Sequence, residues 1–181
     1  GPLIGGVVGE LFNLRMVYYA AGAIFSLSTL ILMFASKQVI HDLDIEVGAG
    51  KSKINLEGCK IARFKFSMAA GEADINLKSA TIEELDVEAL VGEATIDLSG
   101  NRNNDLDAEI TGGMGAIKLY LPEKTGVRLT INGLLGEVRA PNFDKRGDVY
   151  TNNMYGKSDH TMYIDITGGI GDIKIISVKD E

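Results

Sequence analysis

Apolar and polar residues alternate along the chain in short segments that return at a fixed interval. Six such segments begin with a large apolar residue, at Leu43, Phe64, Leu85, Leu106, Val127 and Met162. The first five starts are 21 residues apart, and the last step is 35 residues, one period plus a 14-residue insertion. A period of two places successive side chains on opposite faces of a β-strand. Each segment is therefore predicted to be a strand with one buried and one solvent-exposed face.

A second series of alternating residues keeps the same step, and glycines lie between the two series. The second series begins at Ile54, Ile75, Ile96, Ile117, Val138 and Ile173. Glycine permits positive φ and close approach of backbones, so a corner is predicted between the series. The decapeptide ITGGMGAIKL at 110–119 returns as ITGGIGDIKI at 166–175, two periods and one insertion later.

A repeat near 20 residues without helical periodicity is typical of a β-solenoid, in which each coil pairs with the next. Tandem hairpins in a β-sandwich are the competing interpretation, but they seldom keep an unbroken 21-residue register over five copies. We predict an all-β domain over 42–178, a single-stranded β-helix of six coils stacked about 4.8 Å apart. The inward columns are predicted to be core and are assigned no chemistry.

The outward positions of the predicted coils are polar, and one column becomes basic along the stack. This column contains Asn55, Asn76, Asp97, Lys118, Arg139 and Lys174. Lys118, Arg139 and Lys174 are candidate contacts for an acidic partner or for lipid headgroups. A solvated face without a partner is the alternative.

The insertion at 141–160 is the least repetitive part of the domain. Phe143, Tyr150 and Tyr155 lie there among charged and amide residues, a mixture found at interaction surfaces. An end cap that covers the exposed edge of the last coil is the structural alternative. The three aromatic residues are therefore candidate partner contacts on a segment that is also expected to cap the stack.

The N-terminal part of the chain has a different composition. Residues 16–36 form an uncharged run of 21 residues between Arg15 and Lys37. As a helix this run would span about 31 Å, the thickness of the hydrocarbon core of a bilayer. We predict one transmembrane helix over 16–36, a linker over 37–41, and an apolar leader or the end of a preceding helix over 1–15. Because the sequence does not begin with Met, further residues upstream are expected.

Charge narrows the range of partners. After Lys37 the chain carries 24 acidic residues (25 less Glu10) and 16 basic ones (18 less Arg15 and Lys37), a net charge of −8. An acidic domain repels phosphate backbones, which makes nucleic acid an unfavourable partner. One positive charge at each end of the apolar run leaves the orientation undecided, whereas the single Cys59, which has no internal disulfide partner, favours the cytoplasmic side.

Two stretches and one pair of carboxylates imitate chemical sites. VGAGKSK at 47–53 lacks the first glycine of a phosphate-binding loop, because Ile45 occupies that position. GGIGDIKI at 168–175 has Ile173 where a calcium-binding nonapeptide has its acidic residue. Asp86 and Asp107 are predicted neighbours, but their repulsion of about 0.9 kcal/mol in water is tolerable on a solvated face. We therefore predict a non-enzymatic domain with no catalytic, cofactor-binding or metal-binding residues.

The repeat residues resemble a known family. VGEATIDL at 91–98, GGMGAIKLYLP at 112–122, LLGEVRA at 134–140 and the closing GGIGDIKI resemble the toastrack domain of LiaF-type cell-envelope stress regulators. The resemblance covers residues 40–178. It implies a membrane-attached, non-enzymatic regulatory or sensing module connected with the response to cell wall-active antibiotics. In addition, GPLIGG at 1–6 and FNLR at 12–15 are similar to the approach to a late helix in major-facilitator transporters.

Three functional hypotheses fit these patterns. The leading one is a regulatory module, held at the cell membrane by a single span, that contacts a membrane-bound protein such as a sensor kinase. The second is a self-assembling, bactofilin-like scaffold, which would polymerise end to end. The third is a cytosolic appendage of a membrane transporter. Sedimentation of residues 40–181 distinguishes the first two, because a small species is expected for the module and filaments for the scaffold.

Overall fold

The computed structural model describes two short N-terminal segments and nearly all of the repeat domain. The described residues are Tyr18–Ala20, Thr29–Met33, 39–133 and 135–179. They form twelve strands and no helix: β1 Tyr18–Ala20, β2 Thr29–Met33, β3 Val39–Asn55, β4 Lys60–Asn76, β5 Thr81–Asp97, β6 Leu106–Pro122, β7 Gly126–Asn132, β8 Val138–Arg139, β9 Phe143–Arg146, β10 Val149–Asn152, β11 Thr161–Thr167 and β12 Ile173–Val178.

The first three coils confirm the predicted solenoid. β3, β4 and β5 pair in parallel, with Leu43 beside Phe64 and Phe64 beside Leu85. Parallel pairing at a 21-residue step rules out tandem hairpins in this part of the chain. The inward residues of both series are buried, and Phe64 and Ile96 are both 0% exposed. Their burial confirms that these columns are core.

A column of glycines forms the corner at which each coil turns. Gly50, Gly71, Gly92, Gly115 and Gly171 all have positive φ, between 123° and 147°. A Cβ placed on any of the last four would collide with the carbonyl oxygen of the glycine on the neighbouring coil. Only glycine combines this backbone conformation with so close an approach. We call these five residues the glycine column.

The predicted register is wrong at the step from β5 to β6. Leu85 lies beside Ala108 and Asp86 beside Glu109, a step of 23 residues where 21 was expected. Leu106 is therefore not in the column of Leu85, and the predicted Asp86–Asp107 pair is replaced by Asp86 and Glu109. A shift of two residues keeps every side chain on its own face of the strand. For that reason the alternation alone did not reveal the shift.

The longer step arises in the turn at 98–105. Arg102 from this turn is 8% exposed, and its guanidinium donates to the carbonyl oxygens of Ala80 at 3.2 Å and Leu98 at 3.5 Å. In the two preceding turns, at 56–59 and 77–80, the buried residues are Leu56, Cys59, Leu77 and Ala80. Burial lowers the pKa of Arg102 to about 10. The turn at 98–105 thus buries a cation, whereas the two earlier turns bury no charged side chain.

The last coil in sequence is not the last coil in space. β11 pairs in parallel with both β6 and β7, and β12 pairs with both β6 and β8. The sixth coil therefore lies between the fourth and the fifth, which corrects the predicted sequential order. The two similar decapeptides are direct neighbours, with Ile110 beside Ile166 and Ile117 beside Ile173. Their likeness follows from stacking one glycine corner on another.

The insertion forms an antiparallel hairpin, β9–β10, at the far end of the stack. β10 pairs with β7, so the hairpin covers the β7 part of the outer edge of the fifth coil, in agreement with the cap interpretation. The outer strand β9 is only four residues long, and Asp144, Lys145 and Arg146 are exposed on it. Short, charged edge strands resist pairing with other chains.

The predicted transmembrane helix is not seen. Within 16–36 only Tyr18–Ala20 and Thr29–Met33 are described, both as strands parallel to β3. Pairing with β3 provides backbone partners for the outer edge of the first coil, which accounts for the strand conformation. The rest of that range, the leader at 1–15 and residues 37–38 of the linker lie outside the described residues. β3 begins at Val39, so the domain starts earlier than the predicted residue 42. Among the described residues, no helix is long and apolar enough to cross a membrane.

Candidate interaction surfaces

Large apolar side chains project into solvent along the glycine corner of the later coils. Val91 lies beside Met114, and Ile170 forms bridges with both Met114 and Leu135. Leu90 precedes Val91 in the chain. Their exposed fractions are 45% for Leu90, 42% for Val91, 54% for Met114, 58% for Ile170 and 71% for Leu135. We call these five residues the corner ridge.

The ridge is confined to the later coils. Ala49 and Ala70 occupy the position of Val91 in the first two coils. The same row of the solenoid therefore changes from methyl groups to long apolar side chains at the third coil. Contiguous exposed apolar patches mark sites of interaction with proteins or membranes.

Carboxylates border the ridge on its β12 side. Glu93, Asp172 and Glu137 each follow a ridge residue by two positions and are exposed. The registers of β6, β8 and β12 place Asp172 and Glu137 on adjacent coils, whereas Ala116 lies between Glu93 and Asp172. We call the three carboxylates the acidic flank.

The three basic residues predicted as contacts are brought together beyond the acidic flank. Lys118 lies beside Lys174, and Lys174 lies beside Arg139. Lys118 Nζ is 3.2 Å from Glu93 Oε2, and an Arg139 guanidinium nitrogen is 2.7 Å from Glu137 Oε2. The hydrogen bond from Arg139 lowers the pKa of Glu137. These exposed pairs are readily exchanged for other partners, because surface ion pairs contribute little to stability.

The predicted basic column is wrong at the step from β5 to β6. Lys118 lies beside Thr95 and not beside Asp97, because of the two-residue shift between β5 and β6. The first three members of that column form a separate ladder, in which the Asn76 side-chain amide donates to Asn55 Oδ1 at 3.1 Å. The basic group is therefore confined to the later coils, like the ridge.

The aromatic residues of the insertion have different surroundings. Tyr150 is 6% exposed and belongs to the core, and Phe143 packs against that core. Lys145 Nζ lies 5.0 Å above the Tyr150 ring. Tyr155 is 38% exposed and is accessible to a partner. Two of the three aromatic candidates thus hold the cap in place.

An open pocket of about 310 Å³ lies between the fifth coil and the hairpin. Lys145, Asp148 and Tyr150 line it from the hairpin, and Asn132 and Val138 line it from the coil. The hairpin pairs with β7 but not with β8, which leaves an open recess beside β8 at the end of the stack. The pocket is a consequence of partial capping.

Acidic side chains form a row on the other face of the later coils. Asp86, Glu109 and Asp165 occupy equivalent positions on three neighbouring strands. Lys65 Nζ lies 3.2 Å from Asp86 Oδ2. Across the described part of the chain, no group of three or more His, Cys, Asp or Glu residues is arranged to hold a metal ion.

Comparison with known proteins agrees with this geometry. The family model described as the N-terminal domain of toast_rack matches residues 34–81 and 63–120. A solved structure with TM-score 0.55 and 27% sequence identity covers 77% of this chain, and is described as a candidate cell adhesion protein from Clostridium sporogenes. Both comparisons are consistent with a toast-rack domain in this chain. The chain spans 57% of the length of that solved relative. No curated protein matches the chain.

The toast-rack match covers the regular coils, whereas the corner ridge continues beyond it. Ile170 and Leu135 lie outside the matched ranges. Sequence reasoning missed the ridge because GGMG and GGIG were interpreted only as corners. The signal was available, since Met114 and Ile170 occupy the same position in the two decapeptides.

Proposed function

We propose that this toast-rack domain is the non-enzymatic, protein-contacting part of a membrane-anchored regulator of the cell-envelope stress response. The observation that carries the proposal is the corner ridge, which contains five of the seven large hydrophobic residues exposed in the described part of the chain. The toast-rack match supports an interaction module. The resemblance to LiaF-type regulators supports a role in stress signalling, with a membrane-bound protein such as a sensor kinase as the partner.

The proposed anchor is the uncharged run at 16–36, with the solenoid on the cytoplasmic side. As a helix its length matches a bilayer core. Insertion into a membrane would replace the pairing of Tyr18–Ala20 and Thr29–Met33 with β3. Membranes from cells that express the full chain are washed with alkaline carbonate, and the chain is expected to stay in the pellet. Deletion of 16–36 should release it into the supernatant. A full chain that washes off completely would reject the anchor.

Protein contact is tested by placing a photo-reactive amino acid on the ridge. In cells, p-benzoylphenylalanine in place of Met114 should give cross-linked adducts with a membrane protein, and these should change in amount under a cell wall-active antibiotic. The matched control carries the same group in place of Tyr163, which is 40% exposed and lies off the ridge. Equal adducts from both positions, or none from either, would contradict a ridge-directed contact.

Adhesion is a second candidate, because the solved relative is described as a candidate cell adhesion protein. Adhesion requires the solenoid on the outer surface of the cell. Protease added to intact cells should leave the domain intact under the regulatory proposal and digest it under the adhesion proposal.

The scaffold hypothesis is less well supported. End-to-end polymerisation needs an accessible strand edge at each end of the stack. Here the far edge is the charged strand β9, of four residues. Such edges disfavour strand pairing between chains. The domain is therefore expected to sediment as a small species.

A further inference from the structure

The corner ridge also indicates what kind of partner the domain receives, an inference that rests on the proposed function. We infer that the ridge binds a basic amphipathic helix of a partner protein, laid along the glycine corner. Three features lead to this inference: the spacing of the ridge side chains, the charge beside them, and the length of the ridge.

Spacing is the first feature. Val91, Met114, Ile170 and Leu135 come from successive coils of the stack. Neighbouring strands lie about 4.8 Å apart, so the row extends about 14 Å in a straight line. One turn of an α-helix rises 5.4 Å. A helix parallel to the solenoid axis can therefore place one apolar side chain near each ridge residue over about three turns.

Charge is the second feature. The acidic flank, Glu93, Asp172 and Glu137, runs directly beside the ridge. On the other side, five positions before Val91, Met114 and Ile170, lie Asp86, Glu109 and Asp165. The chain after Lys37 has a net charge of −8 (16 basic less 24 acidic). Acidic borders repel anionic lipid headgroups and favour a partner whose apolar stripe is bordered by Lys or Arg.

The basic residues lie further from the ridge than the carboxylates do. Lys118, Lys174 and Arg139 each follow a ridge residue by four positions, whereas the acidic flank follows by two and borders the ridge directly. Lys118 pairs with Glu93 and Arg139 with Glu137, and each pair neutralises both of its members in part. These pairs are exposed on both sides, with side-chain exposure between 42% and 62%. An incoming Lys or Arg can therefore share or replace them at little cost.

Length is the third feature, and it argues against a second copy of this chain. Stable protein dimers bury about 800 Å² on each partner. A single row of about 14 Å on a convex corner offers much less than that. Two domains of net charge −8 also repel each other. A short helix needs less area and brings the opposite charge.

The test measures binding of designed helical peptides to the full 181-residue chain. The probe is a fluorescent peptide of about 18 residues, five helical turns, with Leu along one face and Lys at its borders. A second peptide replaces Lys with Glu, and a third scrambles the Leu positions while it keeps the composition. Fluorescence anisotropy should show binding of the Leu/Lys helix and much weaker binding of the other two.

Ridge variants connect this binding to the site. The double variant Met114→Ser, Ile170→Ser should weaken binding of the Leu/Lys helix by about tenfold or more, because contact with two apolar side chains is lost. Tyr163→Ser removes a large side chain that is 40% exposed and lies off the ridge, and should leave affinity unchanged. Leu135→Ser, at the most exposed ridge position, is a second variant in case the double variant melts early.

Three outcomes would overturn the inference. The first is equal binding of the Leu/Glu helix or of the scrambled peptide. The second is ridge-dependent capture by vesicles of phosphatidylcholine and phosphatidylglycerol in place of the peptide. The third is ridge-dependent dimerisation of the chain in light scattering. If photo-cross-linking in cells still yields a partner while the Leu/Lys helix does not bind, only the helix assignment fails and the proposed function stands.

Discussion

The same repeat builds the first three coils, residues 39–97, and the last three, residues 106–178. The two sets differ in their surface charges, in the order of their coils and in the side chains at the corner. In the first three, neighbouring coils carry opposite charges in register, as in Lys51–Glu72 at 2.7 Å and Arg63–Glu84 at 2.6 Å. In the last three, the order of coils departs from the sequence. Apolar side chains replace alanine at the corner from Leu90 and Val91 in the third coil onward. The first two coils therefore resemble a scaffold with a neutralised surface, and the candidate contact site begins in the third coil and continues through the last three.

The comparison teaches that a solenoid can vary its outer rows without disturbing its core. Ile96 in the third coil and Ile164 in the sixth are both 0% exposed. What changes is the residue just outside the corner, where Ala49 and Ala70 give way to Val91 and larger side chains. Function in this domain is therefore expected to follow the outward rows and not the inward ones.

The largest expected effect distinguishes the core from the ridge. Ile96→Asp places an unpaired carboxylate in the core and should destabilise the domain by more than about 4 kcal/mol, a large part of a typical total of 5–15 kcal/mol. Ile170→Asp, at a position 58% exposed, should change stability by less than about 0.5 kcal/mol. Both are measured by urea unfolding. Similar losses in the two variants would show that the ridge is packed and not exposed.

The glycine column is expected to matter equally in both halves. Gly71→Ala and Gly171→Ala each force a Cβ against a neighbouring carbonyl at positive φ, and should cost about 2–5 kcal/mol from backbone strain and overpacking together. Gly58 and Gly147 have positive φ but open space around them. Replacing either by Ala should cost only about 1–2 kcal/mol. Thermal melting compares the four, and equal losses in all of them would remove the close-approach explanation.

A smaller effect than those of the core and the glycine column is expected at the junction between the halves. Arg102 is buried with carbonyl partners, and its Nε has no hydrogen-bond partner among the described residues. Its lowered pKa indicates that burial disfavours the charged form. Arg102→Met keeps the volume, removes the desolvated charge and should change stability by less than about 1.5 kcal/mol. A loss above about 3 kcal/mol in chemical denaturation would show that the carbonyl contacts dominate.

Much of the fold could be predicted from particular residues. The 21-residue step of Leu43, Phe64 and Leu85 gave the parallel coils, because a period of two and a strict repeat leave few other structures. The cap at 141–160 was predictable because it breaks the repeat. The grouping of Lys118, Lys174 and Arg139 followed from their shared position in the coil.

The rest depended on contacts that a single sequence does not encode locally. The shift at Leu85 and Ala108 preserves the alternation, so the pattern is the same with or without it. The placement of the sixth coil between the fourth and the fifth also preserves the alternation. Met162 lies beside both Leu106 and Val127, and all three are apolar. Tyr150 was predicted as a candidate partner contact from the composition of the insertion. Its burial against β7 is a tertiary property that the local sequence does not show.

The placement of the sixth coil supports the whole account, because the ridge is continuous only if Ile170 lies between Met114 and Leu135. Paired cysteines test it directly. In a chain with Cys59→Ala, Thr111→Cys with Thr167→Cys joins neighbouring strands and should form a disulfide under mild oxidation, as seen by mass spectrometry. Thr111→Cys with Asn132→Cys spans two strands, about 9.6 Å, and should not. A disulfide in the second pair and none in the first would show sequential stacking, and would contradict both the intercalated coil and the ridge.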